Sequence, residues 1–100
     1  MTIFNDVLIR QEGETRGALI FDGQLVALEV NGLTSGLFKM DEVIDFYVHE
    51  TLLFRPTVLR LSLRDHFTPY ELQVEFASHT DLKEAVKLLR AAGLNESLSR

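Results

Sequence analysis

Two stretches of strict alternation, Thr57–Arg64 and Tyr70–Phe76, restrict this chain more than anything else in it. In the first, Leu59, Leu61 and Leu63 fall on one side and Arg60, Ser62 and Arg64 on the other. In the second, Tyr70, Leu72, Val74 and Phe76 stand opposite Glu71, Gln73 and Glu75. A period of two means strands with one buried and one wet face, and therefore an antiparallel sheet. Val43–Glu50 repeats the pattern, with Ile44, Phe46 and Val48 inward and Asp45, Tyr47 and His49 outward. A symmetric connection from Asp65 to Tyr70 would set Arg64 opposite Glu71, Ser62 opposite Gln73 and Arg60 opposite Glu75. Such cross-strand pairs contribute only about 0.2–1 kcal/mol each. The arginines then read as surface partners of carboxylates.

Towards the N-terminus the signals are turns. Asp22-Gly23 lies between Ala18–Phe21 and Gln24–Val30, and Asn31-Gly32 repeats the device before Leu33–Met40. These dipeptides tolerate positive φ, so they join β-prone runs into tight hairpins. Gly36 marks a bulge in the last of these strands. Val7–Arg10 reads as a strand, Gln11–Arg16 as a loop and Asp41-Glu42 as a break. Met1–Asp6 fits strand, helix or arm.

The chain closes on Ser78–Gly93, where start and stop signals agree on a helix over about 79–92. Ser78 or Thr80 is the N-cap, Asp81 and Glu84 sit near the positive helix end, and Lys87, Arg90 and Gly93 mark its finish. Leu82, Ala85, Val86, Leu89 and Ala92 form an apolar stripe with Leu88 beside it. A helix this short is marginal alone, so the stripe must dock on the sheet. The fold class is thus mainly β, about seven antiparallel strands curled into a barrel or sandwich and capped by one helix.

One hundred residues, 46% of them hydrophobic and 25% charged, make one domain, with Asn95–Arg100 as a flexible tail. No apolar run approaches a membrane span, and Asp6 and Arg10 interrupt the apolar start, so a cytoplasmic protein is expected. The absence of cysteine fits a reducing compartment. A net charge of −5 opposes nucleic acid and makes an anionic membrane an unfavourable partner.

The order of elements resembles a pleckstrin-homology-like domain across Val7–Leu94. Leu37–Val48 (LFKMDEVIDFYV) is similar to that family's fourth and fifth strands, and Thr80–Gly93 (TDLKEAVKLLRAAG) to its capping helix. The nearest likeness is to small bacterial members, which implies binding or assembly and no catalysis. Lipid-binding members gather cations between their first two strands. Here that region offers Arg10 and Arg16 beside Glu12 and Glu14, which departs from a phosphate cradle.

Chemistry is poorly signalled. His49, His66 and His79 lack metal-ligand spacing, and Ser62, Asp65 and His66 lack a nucleophile elbow, so neither a metal, a cofactor nor a catalytic residue is expected. Asp41, Glu42 and Asp45 have no apolar pocket to set up acid–base work, and the glycines form no phosphate loop. The exception to a bland surface is Thr51–Pro56 (TLLFRP). A hairpin connection is usually polar, yet this one carries Leu52, Leu53 and Phe54 in succession. They either plug the barrel end or, with Arg55 at their edge and Tyr47 and His49 nearby, form a surface for a protein partner or a second copy. The leading expectation is a non-enzymatic interaction or self-assembly module. The alternative is a small-molecule or lipid-headgroup binder using the barrel end, which the apolar inward residues disfavour.

Overall fold

The computed structural model describes residues 1–64 and 69–97. Within them the chain runs β1 (Thr2–Arg10), β2 (Glu14–Asp22), β3 (Leu25–Val30), β4 (Leu33–Lys39), a three-residue 3-10 turn (Met40–Glu42), β5 (Val43–His49), β6 (Val58–Arg64), β7 (Pro69–Glu75) and α1 (His79–Ala91). The strands form one antiparallel sheet in the order β4-β3-β2-β1-β7-β6-β5. Two meanders, β1–β4 and β5–β7, therefore meet where β1 pairs with β7, through Leu8–Glu75, Ile9–Val74 and Arg10–Gln73.

β4 and β5 stand at opposite ends of this order, yet only Met40–Glu42 separates them in the chain. Their near ends can be no more than roughly 14 Å apart, so the sheet must curl back on itself there. It stops short of closure, because β4 and β5 are not hydrogen-bonded neighbours.

Leu82, Ala85, Val86 and Leu89 of α1 are buried against the curled sheet, among Phe4, Leu19, Phe46, Leu59, Leu61, Leu63, Leu72 and Val74. Full burial of each leucine contributes roughly 1.5–3 kcal/mol. Phe4 meets both Phe21 and Phe76 edge to face, with centroids 5.6 and 5.3 Å apart. Among the described residues no polar or charged residue is buried. Ser78 caps the helix by accepting from the Asp81 amide at 3.2 Å, and Gly93, at φ +88°, ends it. Ala92, expected in the apolar stripe, is instead the exposed C-cap.

Several registers differ from the alternation read in the sequence. A bulge between Val43 and Asp45 turns Val43 inward and leaves Ile44 44% exposed, although Ile44 was expected in the core. β7 begins at Pro69, so Ser62 faces Glu71, Arg60 faces Gln73 and Val58 faces Glu75. The proposed pairs are each displaced by two residues, and Arg60 reaches Glu71 diagonally at 3.5 Å. β1 extends to Thr2 through a bulge between Phe4 and Val7, where Asp6 takes φ +54°. That extra length buries both Phe4 and Val7, which strict alternation would place on opposite faces. β2 begins at Glu14, so the first loop shrinks to Gln11–Gly13. The first tight turn is Gly23-Gln24, with Asp22 paired to Leu25, not Asp22-Gly23. Asn31-Gly32 is the turn expected, with φ +51° and +79°. The β4 bulge falls beside Gly36, which pairs with Ala27 while Phe38 pairs with Val26. Asn95–Ser97, read as tail, lies parallel to β5: Phe46 N–H donates to the Asn95 carbonyl at 3.4 Å and Ser97 N–H to the Phe46 carbonyl at 2.7 Å.

Gly17 shows how closely β2 and β3 approach. A Cβ there would lie 2.4 Å from the Glu29 carbonyl oxygen, with Val30 and Leu28 side chains also in contact range. Gly17→Ala must push the strands apart, and is expected to destabilise by about 1–3 kcal/mol. Urea unfolding checks this, with Gly13→Ala as the comparison, because nothing lies within 4 Å of that Cβ.

Candidate functional site

The connection between β5 and β6 is built to project its apolar residues. Leu52 is fully exposed, and Leu53 and Phe54 are exposed by 85% and 78%. The barrel-plug alternative therefore fails for all three. The Thr51 hydroxyl donates to the Phe54 carbonyl, which closes the segment into a local turn. Its far end is tied to the helix: His79 Nδ1 lies 2.8 Å from the Pro56 carbonyl oxygen. A carbonyl only accepts, so Nδ1 carries the proton and donates. Phe76 N–H donates to the Thr57 carbonyl at 2.8 Å, fixing the return into β6. Three apolar side chains thus stand on a turn closed by a local hydrogen bond and anchored to the rest of the fold at its far end.

The surrounding residues divide into two groups. His49 and Arg55 are exposed at the rim of the turn, with Glu50 and Thr51 between His49 and the apolar run. Tyr47 belongs to the outer sheet face instead, half-buried, its ring 5.5 Å from the Arg60 guanidinium carbon. Arg60 Nε is buried there without a hydrogen-bond partner, while its NH1 lies 3.5 Å from Glu71. The Tyr47–Arg60 stack braces β5 against β6. Tyr47 thus lies below the turn, in the last part of β5 and opposite Arg60.

On the helix side of the turn lies a cleft of about 310 Å³. Val48, Pro56 and Val86 contribute apolar wall, and Lys83 and Lys87 stand on the exposed side of α1. Arg90, also at this cleft, is held by Glu96 at 2.8 Å. A separate cleft of about 720 Å³ opens at the other end of the helix, between the Gly23-Gln24 turn, Met40 and Leu94, with Lys39 and Asp41 at its walls. None of the apolar residues expected to face inward from β6 and β7, Leu59, Leu61, Leu63, Leu72, Val74 and Phe76, lines it.

The other candidates stay apart. Arg10 donates from Nε to Glu14 at 3.0 Å and lies 3.6 Å from Glu75. The Glu14 hydrogen bond, then Glu75, raises its pKa above the ordinary guanidinium value. This cation is engaged by the two carboxylates beside it. No group of three His, Cys, Asp or Glu able to hold a metal occurs among the described residues. Asp65 and His66 lie outside them, so the Ser62–Asp65–His66 grouping is not described. Among the described residues no helix is long and apolar enough to cross a membrane. Compared with protein-family models, curated proteins and solved structures, the chain matches none.

The contact between His79 and Pro56 should govern how firmly the turn is held. His79→Ala is expected to lower stability by about 1 kcal/mol, the scale of one net hydrogen bond. Amide exchange measured by NMR should accelerate within Thr51–Val58 and leave β2–β3 unchanged.

Proposed function

We propose that this chain is a non-enzymatic interaction module, a bacterial cytoplasmic domain of pleckstrin-homology-like type that engages a protein through Leu52, Leu53 and Phe54. His49 and Arg55 form the polar rim, and Tyr47 supports the turn from below. The observation that carries this reading is the outward projection of three consecutive apolar side chains on an anchored turn. Leaving them in water gains nothing for the fold, whereas a partner that covers them recovers roughly 1.5–3 kcal/mol per large side chain, less the cost of association. The anchors lower that cost, since the turn is ordered before it binds.

The pleckstrin-homology-like assignment is supported by two antiparallel meanders, four strands and three, that meet where β1 pairs with β7, and by a terminal helix packed on the curled sheet. The absence of catalytic chemistry is proposed from the dispersal of the polar side chains described above. The alternative, a small molecule or lipid headgroup in the barrel end, has less support because the interior is filled by apolar side chains.

The double variant Leu53→Ser/Phe54→Ser tests the reading. Both residues are exposed, so unfolding free energy should stay within about 0.5 kcal/mol of the parent. Proteins retained specifically by the immobilised parent in quantitative affinity capture should fall at least about tenfold with the variant, equivalent to 1.4 kcal/mol or more. Equal retention by both proteins, with the fold intact, would remove this turn from the binding surface.

A further inference from the structure

We infer that β4 is a second, independent association surface, through which two copies of this chain join edge to edge about a twofold axis. The two outer strands of the sheet are treated differently. β5 is covered along part of its free side by its own C-terminal segment, through the bonds between Phe46 and Asn95–Ser97. No strand among the described residues covers β4, which ends the strand order. Its first half, Leu33-Thr34-Ser35-Gly36, is exposed at every position and has no charge and no proline. Charge, proline and cover are the usual protections of an edge, and this half-strand has none of them.

The hairpin fixes which backbone groups are available. Asn31-Gly32, both at positive φ, is a two-residue turn, and the residues flanking such a turn bond to each other across the ladder. Leu33 therefore bonds Val30, and two residues on Ser35 bonds Leu28, while Thr34 and Gly36 direct their N–H and C=O groups away from β3. An antiparallel partner must present the same alternation. A second copy of β4 does so when Thr34 lies opposite Gly36 of the partner subunit, and Gly36 opposite Thr34 of the partner subunit. This register supplies four backbone hydrogen bonds and places the axis at Ser35. Leu33, 76% exposed, then lies opposite Leu37 of the partner subunit, at a position half-buried against the core. Gly36 leaves room beside Thr34, since no atom lies within 4 Å of where its Cβ would be. The bulge after Gly36 and the charge of Lys39 end the ladder, so the contact is short and the dimer weak. Each copy carries a net charge of −5, so added salt should strengthen the association.

Sedimentation velocity of the full chain, over a concentration series reaching the millimolar range, reads this out. The parent is expected to form a concentration-dependent dimer. Ser35→Lys and Ser35→Glu each set like charges face to face across the axis and should weaken it at least about tenfold, while an equimolar mixture of the two should restore it. If either substitution disturbs the fold, the parent alone suffices: Thr34 and Gly36 amides should exchange more slowly as concentration rises, with other β4 amides changing less. A parent monomeric throughout the series overturns the inference, as do unchanged dimers in both Ser35 variants or concentration-independent exchange at Thr34 and Gly36. Leu53→Ser/Phe54→Ser should leave this dimer intact. A dimer lost in that variant but kept in the Ser35 variants would assign self-association to the β5–β6 turn and overturn the β4 contact alone.

Discussion

Everything in this structure depends on β1 having two partners. One edge completes the N-terminal meander with β2, and the other receives β7 through three residue pairs. Without that second contact the chain would be a four-strand ribbon and a three-strand ribbon joined by a 3-10 turn. Pairing from both sides brings the apolar faces of the two ribbons towards one another, with Phe4, Leu19 and Phe46 in one cluster with Leu61 and Leu72. Only then does α1 have a concave apolar surface on which to bury Leu82 and Leu89. The helix is thus a consequence of the sheet's curl, and its stability is borrowed from it.

Regular alternation was legible wherever the strand was uninterrupted. β6 and β7 match their patterns, and Ser78, the apolar stripe up to Leu89 and Gly93 fix the helix. The misreadings fall at bulges, because one extra residue inverts the parity of all that follows. Ile44 faces outward for this reason, and β1 hides its inward set behind the Asn5-Asp6 irregularity. Pro69 joins β7 at its very start, a position proline tolerates, and moves the register of the β6–β7 pair by two. The candidate turn was visible as three apolar residues in a hairpin connection. Whether they pointed inward was not, since that depends on Thr51 and on a helix residue far along the chain, His79. The clefts could not be foreseen either, each being formed by segments distant in sequence.

The distribution of polar groups shapes the functional reading. Charged side chains sit at the surface and pair locally, as Arg10 does with Glu14 and Glu75, or Arg90 with Glu96. Exposed ion pairs of this kind contribute only about 0–1 kcal/mol each. What distinguishes one region from another is apolar area: hidden in the core, presented at the β5–β6 turn. The free backbone of β4 is a different resource, directional and indifferent to side chains. A protein with both could bind one partner by shape and its own copy by backbone, without either surface obstructing the core.

The double role of β1 also has a consequence for the order in which the chain can be made. β1 leaves the ribosome before the other strands, and β2–β4 can fold back onto one side of it within a short length of chain. β7 emerges only after the other six strands, so the other edge of β1 must wait until they have been made. Closing so long a loop carries a larger entropic penalty than forming any of the hairpins. During that interval the nascent four-strand ribbon has two open edges and an uncovered apolar face; joining β7 closes the β1 edge and creates the concave surface that α1 then covers, while the β4 edge stays open.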